Sequence, residues 1–187
     1  MLFSSNESLF ELWAENLNNI QRHALNGRRT MKLDHYDLVL LDALQTDGRV
    51  SQSELGQRAN LSTAAVNRRL KLLASAGVIE RYTARLNPKA LGYDLTVIVE
   101  VKAENERADL LDEMQRRFAA CPQVQQCYYV AGEWDFVLIF LVQSMDQYVT
   151  LTRQLFFESG NVKSFNTLVA MNRVKTGAGV PCDLDRA

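Results

Sequence analysis

Leu61-Ser62-Thr63-Ala64-Ala65-Val66-Asn67-Arg68-Arg69-Leu70-Lys71-Leu72-Leu73-Ala74-Ser75-Ala76-Gly77 places Val66, Leu70, Leu73 and Ala74 on one side at helical spacing. Ser62 is a good N-cap, and Gly77 is a C-terminal stop. A helix from Thr63 to Ala76 is therefore predicted. Just upstream, Ser51-Gln52-Ser53-Glu54 has the pattern of a capping box. There the serine hydroxyl and the glutamate carboxylate satisfy free N–H groups of a first turn. That helix is short and ends near Ala59-Asn60. Before it, residues 35–46 predict a helix with Leu38, Leu41, Ala43 and Leu44 inward, stopped by Asp47-Gly48-Arg49. A short helix, a tight turn and a second, basic helix form a helix-turn-helix.

The chain on either side extends this unit. Val78-Ile79 predicts a short strand, followed by a charged turn around Arg81 to Leu86, and the whole reads as a two-stranded wing. Asn87-Pro88 breaks the pattern, so residues 87–93 read as a linker. Residues 7–25 carry Leu9, Trp13, Leu17, Ile20 and Ala24 at helical spacing, which predicts an N-terminal helical extension over residues 1–30. Met31-Lys32-Leu33-Asp34 looks like a natural domain start, so the extension is expected to be dispensable for the core fold. If it is retained, its apolar stripe must pack on something, most simply a dimer partner.

Beyond the linker the rhythm changes. Leu95 to Val101 is a β-branched strand, residues 105–119 an amphipathic helix ended by Pro122, and Val124 to Val130 a strand. Ala131-Gly132-Glu133 is a turn, Trp134 to Val142 an apolar strand, Met145 to Phe157 a helix and Ser164 to Val174 a strand. The order β-α-β-β-α-β is ferredoxin-like: an antiparallel four-stranded sheet with both helices on one face. The expected fold class is α+β. A winged helix-turn-helix over residues 31–86 precedes a ferredoxin-like sensor and oligomerisation domain over 94–182 and a tail over 183–187. The strands are apolar on both sides, so the second sheet face needs a cover, and self-association is the simplest one.

Composition sets bounds on function. With 187 residues, 47% hydrophobic and 23% charged, the chain suits two small ordered domains. No apolar run is long enough to span a bilayer, and the first residues lack the basic start and apolar core of a signal peptide. A cytoplasmic protein is expected. Cys121, Cys127 and Cys182 form no CxxC pair and have no histidine near them, so they read as packing residues rather than metal ligands. No nucleophile-histidine constellation, phosphate-cradling glycine loop or metal cluster is present, and no cofactor is expected.

Net charge is −1, but it is unevenly spread: residues 1–89 hold 12 Lys/Arg and 9 Asp/Glu, and the remainder 9 and 13. Residues 61–89 alone hold six basic groups and one acid. Such a cluster is either a solvated helix face or a phosphate-facing surface, and charge alone does not separate these. The helix-turn-helix pattern favours DNA, against the alternative of a mere packing module. In such units the second helix enters the major groove with its N-terminal residues at base edges. Here those are Ser62, Thr63, Ala64, Ala65, Asn67 and Arg68. Arg pairs with guanine and Asn with adenine through two bonds each, and small residues fit a thymine methyl. Ser62, Arg69 and Lys71 are placed to hold phosphate, and Arg81 and Arg85 to grip the flanking backbone.

Three stretches resemble one family. They are Leu33-Asp34-x-x-Asp37 leading to Leu44-Gln45-x-Asp47-Gly48-Arg49; Leu61-Ser62 through Val66, Arg68-Arg69, Leu73 and Gly77-Val78-Ile79 to Tyr82-Thr83-Ala84; and Cys121-Pro122-x-Val124-x-x-Cys127-Tyr128-x-Val130-x-Gly132-x-x-Asp135-Phe136. The chain resembles, over about residues 31–182, the leucine-responsive regulator/AsnC (feast/famine) family. The resemblance implies a DNA-binding transcriptional regulator. It implies dimers assembling further to tetramers or octamers, and an amino-acid effector bound between dimers beside the hairpin turn.

By position the resemblance assigns effector roles to Gly132, Glu133, Trp134 and Asp135, and to Thr167 on the last strand. A glycine turn exposes N–H groups to a carboxylate, and Asp135 suits an ammonium; the alternatives are a plain hairpin turn and a structural hydrogen bond. Phe165 stands where relatives often carry a second threonine, which favours an apolar effector side chain or a closed pocket. Trp134 either lines the pocket or packs against a neighbouring dimer. Some relatives of this layout are sirohaem decarboxylases, so catalysis is the competing class. The predicted sensor domain has no histidine for acid–base work, since His23 and His35 both precede it. A third reading is an assembly module that has lost DNA binding.

Overall fold

A computed structural model describes residues 31–158, 160–177 and 179–184; the predicted helix over residues 7–25 lies outside them. Among the described residues, those from Met31 to Thr83 and from Gly179 to Leu184 form one compact unit, and those from Ala84 to Gly177 form a second.

Three helices build the first unit: α1 (His35–Thr46), α2 (Gln52–Ala59) and α3 (Thr63–Ser75). Their starts follow from their caps. Ser51 Oγ accepts from the Glu54 N–H and Ser62 Oγ from the Ala65 N–H. The complete reciprocal capping box is at α1 instead, where Asp34 and Asp37 each accept from the other's backbone N–H. Glu54 turns away to an ion pair with Arg58 at 2.7 Å, so the box expected at Ser51 is only half formed. The core of the unit is Leu40, Ala43, Leu55, Ala59 and Val66, with Leu61 and Leu70 packed against it. Leu38 and Leu41, expected inward, are only partly buried; Leu40, between them, is fully buried.

The turn between α2 and α3 depends on a close approach. Asn60 adopts the left-handed conformation, and the Leu61 N–H donates to Gly56 O at 2.8 Å. A Cβ on Gly56 would lie 2.6 Å from the Leu61 carbonyl oxygen. Backbone cannot yield as a flexible side chain can, so Gly56→Ala is expected to cost about 1–3 kcal/mol of stability by chemical denaturation.

The segment expected to form the wing is not paired as strands: Val78 to Asn87 carries none. The reason is local. Gly77, at φ 72°, closes a helix cap in which the Val78 and Ile79 N–H groups both donate to Leu73 O, leaving them unavailable for a ladder.

The second unit is a sheet of β1 (Leu95–Ala103), β2 (Val124–Tyr129), β3 (Phe136–Val142) and β4 (Val162–Val169) with helices α4 (Ala108–Ala120) and α5 (Met145–Thr152). Strand order is β2-β3-β1-β4, all antiparallel, as the βαββαβ order requires. Alternate residues Val97, Val99, Val101, Phe136, Leu138 and Phe140 are buried beneath Leu111, Met114 and Phe118 of α4 and Tyr148 of α5. Phe118 meets Phe136 and Phe156 edge-on, and Phe140 meets Phe156 and Tyr148 likewise. Each such pair contributes about 0.5–1.5 kcal/mol beyond area burial. The helix expected over residues 145–157 is α-helical only to Thr152; Arg153–Phe157 is a π turn.

The C-terminal segment departs from the expected boundary at residue 182. Residues 179–184 belong with the first unit, where Gln45 clasps both backbone polar groups of Val180. It accepts from the Val180 N–H at 2.6 Å and donates to its carbonyl at 2.9 Å. His35 Nδ1 lies 3.3 Å from the Leu184 carbonyl oxygen.

Candidate nucleic-acid interface and effector site

α3 sorts its residues by face. Val66 and Leu73 are buried, whereas Thr63, Ala64, Asn67, Arg68 and Lys71 are exposed. Positions 63, 64, 67, 68 and 71 follow helical spacing and form one continuous stripe, with Ser62 at its N-terminal end. The stripe carries two cations, a carboxamide and small groups. That is the equipment for reading base edges and holding phosphate. Asn67 Oδ1 accepts from Gln52 Nε2 at 3.2 Å, so α2 orients the carboxamide. Sequence reasoning missed Gln52.

Arg69 does not belong to this stripe. Its guanidinium donates to both Asp34 carboxylate oxygens at 3.0 and 2.8 Å and to Asp37 at 2.8 Å. It also lies 5.3 Å from the Tyr36 ring centroid. Phosphate binding by Arg69 is thus corrected: two carboxylates of α1's N-terminus already hold it. The Asp34-x-x-Asp37 spacing was visible in the sequence, but nothing local signalled that both faced residue 69. Arg81 is exposed in the first unit. Arg85 falls in the second, where it donates to Thr176 Oγ1 at 2.9 Å. Neither residue lies on a strand.

Burial works against ionisation of Asp34. The Asp37 N–H and the Arg69 guanidinium outweigh it and hold the carboxyl below its usual value of 3.8. A lowered folded pKa stabilises above the unfolded value, and that stability is lost as pH falls through the folded one. The first unit is expected to weaken progressively below about pH 4. An acid titration followed by circular dichroism checks this: Asp34→Asn should lose the corresponding part of the pH dependence.

The hairpin turn joins β2 to β3, with the Val130 N–H donating to Asp135 O at 2.9 Å. Gly132 and Glu133 are exposed and Trp134 is half-buried. Gly132 has φ 155°, which other residues rarely adopt. Asp135 is 7% exposed, and both its oxygens are engaged by β1: Ala103 N–H donates at 2.8 Å and Lys102 Nζ at 3.3 Å. Its carboxylate ties β1 to the turn, the structural alternative, and is poorly available to an ammonium. Thr167 sits on the helix-covered face beside Val99 and its Oγ1 is 2.6 Å from the Tyr148 hydroxyl. The site residues therefore do not converge within one chain.

A helix-turn-helix with an exposed polar recognition stripe, followed by a βαββαβ domain, defines a two-domain transcriptional regulator. Residues 33–80 match the winged helix-turn-helix DNA-binding family model, and residues 96–180 the Lrp/AsnC ligand-binding domain. The chain is 41% identical to an uncharacterised HTH-type transcriptional regulator of Sinorhizobium fredii, covering 82% of this chain and 91% of that one. It is 32% identical to the leucine-responsive regulatory protein of Haemophilus influenzae, over 81% and 91%. Among solved structures, a transcriptional regulator of Neisseria meningitidis in complex with L-methionine superposes with a TM-score of 0.76 at 25% identity, covering 81% of this chain and 98% of that one. The chain belongs to the Lrp/AsnC family of transcriptional regulators.

Proposed function

We propose that this chain represses or activates transcription as a symmetric oligomer that reads DNA with the exposed stripe of α3 and responds to a small effector through its second unit. The observation that carries this is the division of labour on α3. Asn67, Arg68 and Lys71 face solvent while the adjacent Arg69 is spent internally, fixing the helix to α1. A helix held this way presents its polar groups pre-organised, which lowers the entropic cost of binding.

The sheet supports the oligomeric part. Opposite the helices, Ile98 pairs with Ile139 and Leu168, Thr96 with Leu141, and Val137 with Tyr128, an apolar surface across all four strands. A second copy of the same sheet is the simplest cover, and the two-fold axis would set two α3 helices on half-sites about one or more helical turns apart. An effector bound between copies would then shift DNA affinity by its differential affinity for the two assembly states. The Gly132–Trp134 turn offers its contacts, with Asp135 supporting the turn, whereas Thr167 faces the helices and the Tyr148 hydroxyl.

Selection of DNA from a random duplex pool by the full-length chain tests the reading. Enrichment of a two-fold symmetric sequence is expected, and its yield should change when one amino acid is supplied. A pool that stays random through repeated selection at low salt would contradict it.

A further inference from the structure

Phe156, Phe157, Val162, Lys163, Ser164 and Phe165 line a cleft of about 270 Å³ where the π turn after α5 meets the start of β4. The π turn puts two consecutive aromatics to different uses: Phe156 is buried in the core and Phe157 is 71% exposed. Phe165 bridges them, with ring centroids 4.8 Å from Phe156 and 5.9 Å from Phe157, the latter pair at 85°. π turns are rare and frequent at functional sites. Here one supplies an aromatic wall that the core does not need. Lys163 is exposed at the same cleft and forms no ion pair among the described residues. No acidic side chain lines the cleft among the described residues.

We propose that this cleft binds a monocarboxylate with a bulky apolar body, the body against the wall formed by the touching Phe157 and Phe165 rings and the carboxylate on Lys163. The inference rests on reading the second unit as an effector domain. Its size fits one phenyl- or isobutyl-sized group, not a peptide. Because nothing acidic faces the cleft, an ammonium on the ligand goes unread. An aromatic amino acid and its deaminated analogue bind alike. The cleft also lies at the same end of the sheet as the effector hairpin: Val101 pairs with Phe165 on one side and Phe136 on the other, and the Asp135 N–H donates to Val101 O. Two strand spacings, about 10 Å, separate them, so the cleft is a site beside the turn rather than the turn itself.

Calorimetric titration of the full-length chain with L-phenylalanine and with 3-phenylpropanoate tests this. Both are expected to bind with similar affinity. Phe157→Ala should weaken both about tenfold or more, and Lys163→Gln about fivefold. Phe157 and Lys163 are exposed, so neither substitution threatens folding. Binding of L-phenylalanine without 3-phenylpropanoate would overturn the proposal, as would any amino acid bound undiminished by both substitutions; either leaves the effector reading intact. If neither probe nor any of the common amino acids binds at millimolar concentration, both readings fall. If both probes bind as expected but DNA affinity does not respond, the cleft stands and the effector reading fails.

Discussion

Arg69→Ala is expected to lower the stability of the helix-turn-helix unit by about 2–3 kcal/mol. Removing one partner of a buried ion pair costs about 3–5 kcal/mol because the other charge is left uncompensated. Here the Asp37 side chain is 5% exposed, but those of Arg69 and Asp34 are 23% and 50% exposed, which calls for a discount. Lysine should rescue in part, since all three hydrogen bonds leave one guanidinium nitrogen, Nη1, and an ammonium carries three donors, but the planar guanidinium over the Tyr36 ring is lost. Thermal unfolding by circular dichroism measures the effect. An unchanged melting temperature would show that the Asp34–Arg69–Asp37 cluster contributes nothing net.

Arg68→Ala should behave in the opposite way. Arg68 is exposed and forms no ion pair among the described residues, so its loss leaves the melting temperature where it was. Affinity for a specific site should fall by about 1–3 kcal/mol, roughly fivefold to over a hundredfold, with relaxed preference at one base pair. Asn67→Ala should do the same at a different base. Lys71→Ala should weaken binding to all sequences alike and reduce the salt dependence by about one counterion. Competition binding with wild-type and variant sites separates these outcomes. Equal losses from Arg68→Ala and Lys71→Ala on every sequence would mean that α3 holds backbone only.

Local chemistry made much of the fold legible. Ser51, Ser62 and Gly77 mark helix ends by hydrogen bonds made within a few residues, so α1 to α3 fall close to their expected ranges. The alternating apolar strands fix the sheet because a slip of one residue would expose its core face. Features set by contacts distant in sequence were not legible. No strand forms at Val78-Ile79, where the Leu73 carbonyl takes both N–H groups, a competition that β propensity does not register. The role of Arg69 depends on carboxylates 32 and 35 residues away. Asp135 was placed at the right turn, but its direction is set by Ala103 and Lys102. The clasp of Gln45 on Val180 spans 135 residues and has no signature at either end.

Binding to the DNA upstream of this chain's own gene, by gel shift across a salt series with excess nonspecific competitor, tests DNA recognition by α3 most directly. A retarded complex that survives competitor, tightens as salt falls and disappears with Arg68→Ala and Asn67→Ala in a folded protein is the expected result. A folded double variant that retards the same fragment as well as the wild type would contradict it.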